Sequence, residues 1–350
     1  MRKLLLTNYQ APGDILMLTA AVRDLHLCCP GEFATDVETS CPELWENNPH
    51  VTALDPNASE VEVVPCEYPL IHHADNKALH FIHGFMEDLG DRLQCRIQPT
   101  EFRGDIHLSG TERALPPMGT LAEGDLPYWI VVAGGKYDDT IKWWHFRRWQ
   151  AVVDHFRDRI QFVQVGKRDD YHPPLQHVLD WRGRTSLREM IRLTYHAAGV
   201  LCPVTFAMHL AAAVPTPPGR PASRACVVVA GGRESPHWEA YPTHQFLHTV
   251  GTLPCCATTG CWKSRTVPLG DGGAKDEPAH LCVDVVGGLP RCMDMIRPER
   301  VIESIEFYMK GIALKKGGPD GAGKLQGEAN PDWGTPTSNQ PTMTGGAACH

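Results

Sequence analysis

Residues 181–219 read WRGRTSLREMIRLTYHAAGVLCPVTFAMHLAAAVPTPPG, and residues 224–238 continue as RACVVVAGGRESPHW. Leu187, Met190, Ile191 and Tyr195 recur at helical spacing, so this stretch opens with an amphipathic helix. A short apolar run over residues 197–202 reads as a buried strand. Thr205 then stands where an N-cap would start a helix over residues 207–214, whose alanines permit close packing. The backbone N–H groups at such a helix start suit an anion, typically a phosphate. Residues 225–230 are a second buried strand, closed by a turn at Gly231-Gly232. Alternation of helices with short buried strands is the grammar of a parallel α/β sheet.

Working outward, the same alternation runs along the chain. Residues 3–9 predict a buried first strand, with Gln10-Ala11-Pro12-Gly13 as a turn and Asp14 opening a helix through Ile15, Leu18, Val22 and Leu25. Residues 33–39 predict a second strand, and residues 41–48 a short helix before Pro49. A His-bearing loop follows at residues 71–76, then a helix over residues 78–93. Residues 116–127 are rich in proline, glycine and acidic residues without any period, which marks an interdomain linker, placed at 119–127. The alternation restarts with a strand at residues 128–133, a helix at 145–158 and a strand at 160–165. A last helix is expected at residues 298–312. From Lys315 onward the composition is Gly-, Pro- and polar-rich, and residues 313–350 are expected to be a disordered tail.

Two strand–helix halves, residues 1–118 and 128–312, predict two Rossmann-like sheets facing across a cleft. With 350 residues the chain is long enough for two cores. A formal charge of −8 argues against nucleic acid as a partner. No apolar run reaches membrane-span length, and the basic start followed by a very short apolar run reads as a strand rather than a signal peptide, so an intracellular location is expected. In that compartment 13 cysteines, an odd number, are thiols or metal ligands rather than a disulfide frame.

The organising stretch resembles glycosyltransferase family 9, the ADP-heptose-dependent heptosyltransferases. The residues that carry the resemblance are Leu179, Asp180, Arg182, Gly183, Thr185, Ser186, Leu187 and Glu189. Met208, His209, Leu210, Ala211, Ala212, Ala213 and Pro217 continue it. In the first half Gly13, Asp14, Pro30, Gly31, Asn48, Pro49 and Val51 match the family's opening. Where the family has Asp-Ser-Gly this chain reads Val204-Thr205-Phe206, without the Asp or the Gly. The resemblance implies the GT-B architecture and glycosyl transfer from a nucleotide sugar, ADP-heptose, to a hydroxyl on a protein or glycan. A non-catalytic GT-B-like scaffold and another nucleotide-sugar enzyme, such as an epimerase, are the alternatives. An oligomer of identical chains and a peripheral position at the inner membrane face are both compatible with it.

Asp14 reads on its own as a helix N-cap; the resemblance makes it the base that takes the acceptor hydroxyl's proton. Gly134 and Gly135 follow a strand and let backbone approach a ligand, and Lys142 can neutralise a departing diphosphate. The resemblance matches Lys142 and Trp144 to the family's K-x-W segment; Trp149 is a core anchor. Thr205, Ala207, Met208 and His209 are the helix-start residues it implies for donor binding, though His209 by itself reads equally as a core histidine. His72, His73 and Asp75 could serve an acceptor or a metal, or nothing. Finally Cys255, Cys256, Cys261, Cys282 and Cys292 cluster in a segment, 253–292, with no core period. Four thiolates can enclose one tetrahedral ion. The cluster resembles the cysteine finger of bacterial autotransporter heptosyltransferases, which implies a structural iron or zinc held by Cys256, Cys261, Cys282 and Cys292, with Cys255 the rival of Cys256. No catalytic metal is expected.

Overall fold

The computed structural model describes residues 1–66, 79–115 and 126–316. Met1–Met309 form one compact unit.

The first strand, β1 (Arg2–Asn8), alternates apolar leucines into the core and lies between β2 (Phe33–Thr39) and β3 (Val61–Pro65) in a parallel sheet. Its crossover is α1 (Pro12–Cys28), nearly all of which is buried. Pro12 occupies the first turn, where its missing N–H costs nothing. Asp14 therefore does not open the helix as expected. It sits in the first turn, and its carboxylate accepts the Ala11 N–H at 3.1 Å. Residues 42–45 form a single 3₁₀ turn instead of the longer helix expected at 41–48, because the backbone turns extended at Glu46 and left-handed at Asn47. Helix α2 (Phe81–Leu93) starts three residues later than the period suggests, with His80 capping the Ile82 N–H. A short α3 (Gly110–Ala114) carries a capping box between Ser109 and Glu112.

The second sheet is six-stranded and wholly parallel. It contains β4 (Tyr128–Val131), β5 (Gln161–Gln164), β6 (Val178–Asp180), β7 (Gly199–Pro203), β8 (Ala225–Gly231) and β9 (Gln245–His248), in the order β6-β5-β4-β7-β8-β9. β4, β7 and β8 are buried on both faces, which explains their unbroken apolar runs. Crossovers α4 (Phe146–Phe156), α5 (Leu187–His196) and α6 (Phe206–Ala213) cover it. Trp149 is fully buried as an anchor of α4, and the Trp144 indole donates to the Ile296 carbonyl at 2.9 Å, so both are core residues. The remaining elements are α7 (Pro236–Glu239), the two-residue strands β10 (Val285–Val286) and β11 (Leu289–Pro290), α8 (Arg291–Asp294) and α9 (Pro298–Lys316). Residues 313–316 thus continue a helix rather than beginning a tail, and residues 317–350 lie outside the described residues, as do His72, His73, Asp75 and most of the expected linker.

The strand order reverses between β4 and β7, since β5 and β6 are added to one side of β4 and β7 to β9 to the other. At such a switch point the crossovers leave to opposite faces and open a crevice at the C-terminal edge of the sheet. Gly134 and Gly135 leave β4 there, and Thr205 leaves β7.

Two contacts tie the halves together. Gly104 is wedged between α1 and α6: a Cβ there would lie 2.9 Å from the Leu16 carbonyl and 3.1 Å from the Ala213 Cβ. Arg188, on α5, donates to Glu112 at 2.7 and 2.8 Å and to the carbonyls of His107 and Glu43. The Arg188 hydrogen bonds hold the Glu112 carboxyl down at about 2.

Candidate active site at the switch point

Gly134 adopts φ +139°, and any Cβ would overlap the Tyr171 carbonyl. Gly135 exchanges two hydrogen bonds with Tyr171, at 2.9 and 3.1 Å, which brings Tyr171 onto Trp143 with ring centroids 4.1 Å apart. Beyond this bend a 3₁₀ segment, Tyr137–Lys142, ends on Lys142. Its ammonium meets the Glu234 carboxylate at 2.8 Å, with only 21 % of the Lys142 side chain exposed. Desolvation, reinforced by the nearby Arg233 cation, lowers the Lys142 pKa to about 8, and Glu239, Asp139 and Asp14 oppose that fall. Lys142 therefore lies within electrostatic reach of Asp14, which belongs to the other sheet's first crossover.

Thr205 occupies the N-cap position of α6 with extended backbone, but its hydroxyl makes no capping bond. Ala207 and Met208 are buried, and the Met208 N–H returns to the Thr205 carbonyl at 3.0 Å. His209, also buried, accepts or donates at Nδ1 to the Tyr241 hydroxyl at 2.8 Å and points Nε2 toward Glu239 at 3.6 Å. Burial alone would raise the Glu239 carboxyl; the hydrogen bond from His209 and the Lys142 charge hold it below its ordinary value. On its other side His209 abuts Gly13, where a Cβ would lie 3.1 Å from the imidazole Cδ2. The starts of α1 and α6 thus meet through a glycine and a histidine.

Arg233, Glu234, Glu239 and Tyr241 were not singled out from the sequence. The signal was available: RESPHWEAY follows the Gly231-Gly232 turn of a fully buried strand, so its charged residues fall on the C-terminal edge of the parallel sheet, where ligands bind. Lys142 and Arg233 are cations set among the carboxylates of Asp139, Glu234 and Glu239, and they are the groups there able to meet a phosphorylated ligand.

The cysteine segment lies directly behind this edge. Cys255, Cys256, Cys261, Cys282 and Cys292 line one small cavity of about 10 Å³, room for a single water-sized centre. Cys256 and Cys292 press on Gly232, where a Cβ would lie 2.9 Å from the Cys256 sulfur and 3.2 Å from the Cys292 Cβ. Burial raises the thiols of Cys292, to about 12, of Cys255, to about 11, and of Cys261 and Cys282, while backbone hydrogen bonds from Gly232 to Cys292 and from Lys263 to Cys261 act the other way. Among the described residues no three His, Cys, Asp or Glu side chains already stand at metal-holding distances. The segment also reaches the site. The Cys261 N–H donates to the Gly232 carbonyl at 3.1 Å, Arg233 Nε donates to the Lys263 carbonyl at 2.7 Å, and the Arg233 guanidinium lies 5.3 Å from the Trp262 ring centre.

Two α/β lobes with a crevice at the switch point define the GT-B type of fold, and solved structures of that fold match this chain. The iron-containing dodecameric glycosyltransferase TibC of enterotoxigenic E. coli H10407 superposes with a TM-score of 0.62 at 14% identity, covering 89% of this chain and 76% of its own. A glycosyltransferase family 9 protein from Veillonella parvula gives 0.61 at 12% identity, covering 89% and 97%. The E. coli ADP-heptose lipopolysaccharide heptosyltransferase II gives 0.56 at 14% identity, covering 89% and 100%. No family model matches the chain, nor does any curated protein sequence. Among the described residues no helix is long and apolar enough to cross a membrane.

Proposed function

We propose that this chain is a glycosyltransferase that moves a sugar from a nucleotide-diphosphate donor to a hydroxyl on a protein or glycan, with ADP-heptose the donor its motifs favour. The observation that carries this reading is the meeting of α1 and α6 at Gly13 and His209, which brings the Asp14 carboxylate of one lobe near Lys142 at the switch point of the other. TibC, a fold neighbour, has been crystallised with ADP-D-β-D-heptose, which supports the choice of donor. Residues 1–118 would form the acceptor lobe and residues 128–312 the donor lobe.

In this reading the donor diphosphate lies at the start of α6 and beside Lys142, with Gly134 and Gly135 making the bend against Tyr171 that leads the chain to that lysine. Asp14 accepts the acceptor's hydroxyl proton as the oxygen attacks the anomeric carbon. The bond to the diphosphate oxygen breaks, and its electron pair leaves on the nucleotide, where Lys142 and Arg233 offset the charge. Positioning and charge neutralisation suffice for such a displacement, and no step here requires a metal.

The cysteine cavity suits a structural iron or zinc. Five of its lining residues are cysteines, with Asp284, Lys263 and Arg291 also at its wall, backbone N–H groups point at two of the sulfurs, and its small volume suits one ion. Cys256, Cys261, Cys282 and Cys292 would hold the ion, drawing their sulfurs inward. That TibC is iron-containing supports the metal reading.

The deciding experiment is calorimetric titration of the metal-replete protein with ADP-heptose beside UDP- and GDP-sugars. Selective ADP-heptose binding is expected. Selective binding of another sugar nucleotide would keep the site and change the substrate, and binding of none would favour a scaffold. Conversion of a bound sugar nucleotide without acceptor would point to an epimerase.

A further inference from the structure

Glu234 is a carboxylate at 2 % exposure whose two oxygens have different fates. Oε1 takes both cations of the site, the Lys142 ammonium at 2.8 Å and a guanidinium N–H of Arg233. Oε2 is equally buried and has no hydrogen-bond partner among the described residues. A buried carboxylate oxygen left unpaired is costly, and native structures seldom tolerate one without a use for it. The position is not incidental. Glu234 stands two residues past the Gly231-Gly232 turn, at the crevice edge of β8, and its partner Lys142 senses Asp14 across the crevice.

What could complete Oε2 follows from its chemistry. An ionised carboxylate only accepts hydrogen bonds. A phosphate oxygen, itself negative, would be repelled, so the diphosphate belongs on Lys142 and not on Oε2. A neutral hydroxyl donates readily, and a nucleotide sugar is rich in hydroxyls. We propose that Glu234 Oε2 accepts a hydrogen bond from a sugar hydroxyl of the bound nucleotide sugar, which makes Glu234 a specificity-determining residue. This rests on the donor-site reading above. The neighbouring Arg233 and Lys142 hold the carboxylate in place through Oε1, so the site would reject a deoxy analogue as well as bind the hydroxylated one. Such a hydroxyl could belong to the transferred sugar or to the ribose of the nucleotide.

The test is a ligand-by-variant cycle by calorimetry. ADP, 2′-deoxy-ADP, 3′-deoxy-ADP, ADP-heptose and ring-deoxy ADP-heptoses are titrated into the wild-type protein and into Glu234→Gln. If the transferred sugar donates, one deoxyheptose binds the wild-type protein about 10–100-fold more weakly than ADP-heptose. In Glu234→Gln that penalty shrinks, because a neutral amide replaces the charged acceptor, while ADP affinity holds or tightens. If the ribose donates, the same coupling appears between Glu234 and 2′-deoxy- or 3′-deoxy-ADP. Either coupling supports the assignment. A flat cycle, with every ligand shifted by one common factor or none, overturns it, leaving Glu234 to serve Lys142 alone and Oε2 to a water molecule. The wild-type arm with deoxy ligands needs no variant, so a poorly folding Glu234→Gln does not spare the proposal. A wild-type protein that binds none of the ADP-sugars overturns the donor reading and this assignment with it. Binding of the sugars with a flat cycle overturns this assignment only.

Discussion

Gly13 and His209 touch across the crevice: a Cβ on Gly13 would lie 3.1 Å from Cδ2 and 3.5 Å from Nε2 of the imidazole. This contact sets how closely Asp14, the next residue, approaches the donor side. A Gly13→Val substitution must push His209 off Tyr241 or part the two helices. Transfer is expected to fall by at least about 10-fold, since small misplacements at a reacting centre cost that much or more. The check is steady-state kinetics beside a thermal melt, and unchanged kcat would show that the contact is not geometrically critical.

Asp14→Asn removes the proton acceptor and keeps the side-chain oxygen that can cap the Ala11 N–H. Transfer should drop by about 10²–10⁴-fold, with donor affinity within about 3-fold of wild type. Retained turnover would take the base role from Asp14.

Lys142 has a pKa lowered to about 8 by desolvation and by Arg233, so it loses its charge as pH rises through that value. Diphosphate binding needs the charged form. ADP affinity should therefore be flat below pH 7 and fall above pH 8, by up to about tenfold per pH unit. Lys142→Arg should flatten that profile over the same range, because a guanidinium stays protonated. The same shift acts on stability. The unfolded lysine still holds its proton between about 8 and its ordinary value, so this group's burial penalty is present below pH 8 and is relieved as pH rises through that window. Affinity that stays constant to pH 9.5 would count against Lys142 as the diphosphate cation.

Arg188 holds Glu112 at about 2, well below an unperturbed glutamate. The stabilisation is present above the unfolded glutamate's pKa and is lost as pH falls from about 4.5 toward 2. Arg188→Ala should destabilise the protein at pH 7 by about 2 kcal/mol, in line with hydrogen bonds to charged groups. It should also make the acid side of the stability profile shallower. Chemical denaturation at pH 7 and pH 3 checks both.

Cys261→Ser should lower metal content and melting temperature together, by elemental analysis and calorimetry. The Cys261 backbone N–H, which serine keeps, still donates to the Gly232 carbonyl, so ADP affinity should weaken only as far as loss of the ion loosens the segment behind Arg233 and Glu234. A full metal load in this variant would remove Cys261 from the ligand set.

Local patterning alone carried much of this molecule. Period and turn chemistry located α5 and α6, the strand at residues 33–39 and the buried β8, because fully buried strands and capped helices leave strong marks in the residues themselves. Misreadings fell where short-range signals conflict. Pro12 moved the start of α1 ahead of Asp14, and a left-handed Asn47 after an extended Glu46 cut the helix expected at residues 41–48 to one turn. The strands β3 and β6 were missed because each is short and only partly buried.

What the sequence by itself determined is the alternation of elements, hence the two parallel sheets, and the identity of groups able to bind phosphate or metal. Only the tertiary structure decided which of those groups meet. The Glu234–Lys142 ion pair spans 92 positions and the Gly13–His209 contact 196. The cysteines from 255 to 292 are gathered behind the Gly231-Gly232 turn. None of these has a local period, because they are set by strand order, by where the order reverses, and by how closely small residues such as Gly13 and Gly104 let the helices approach.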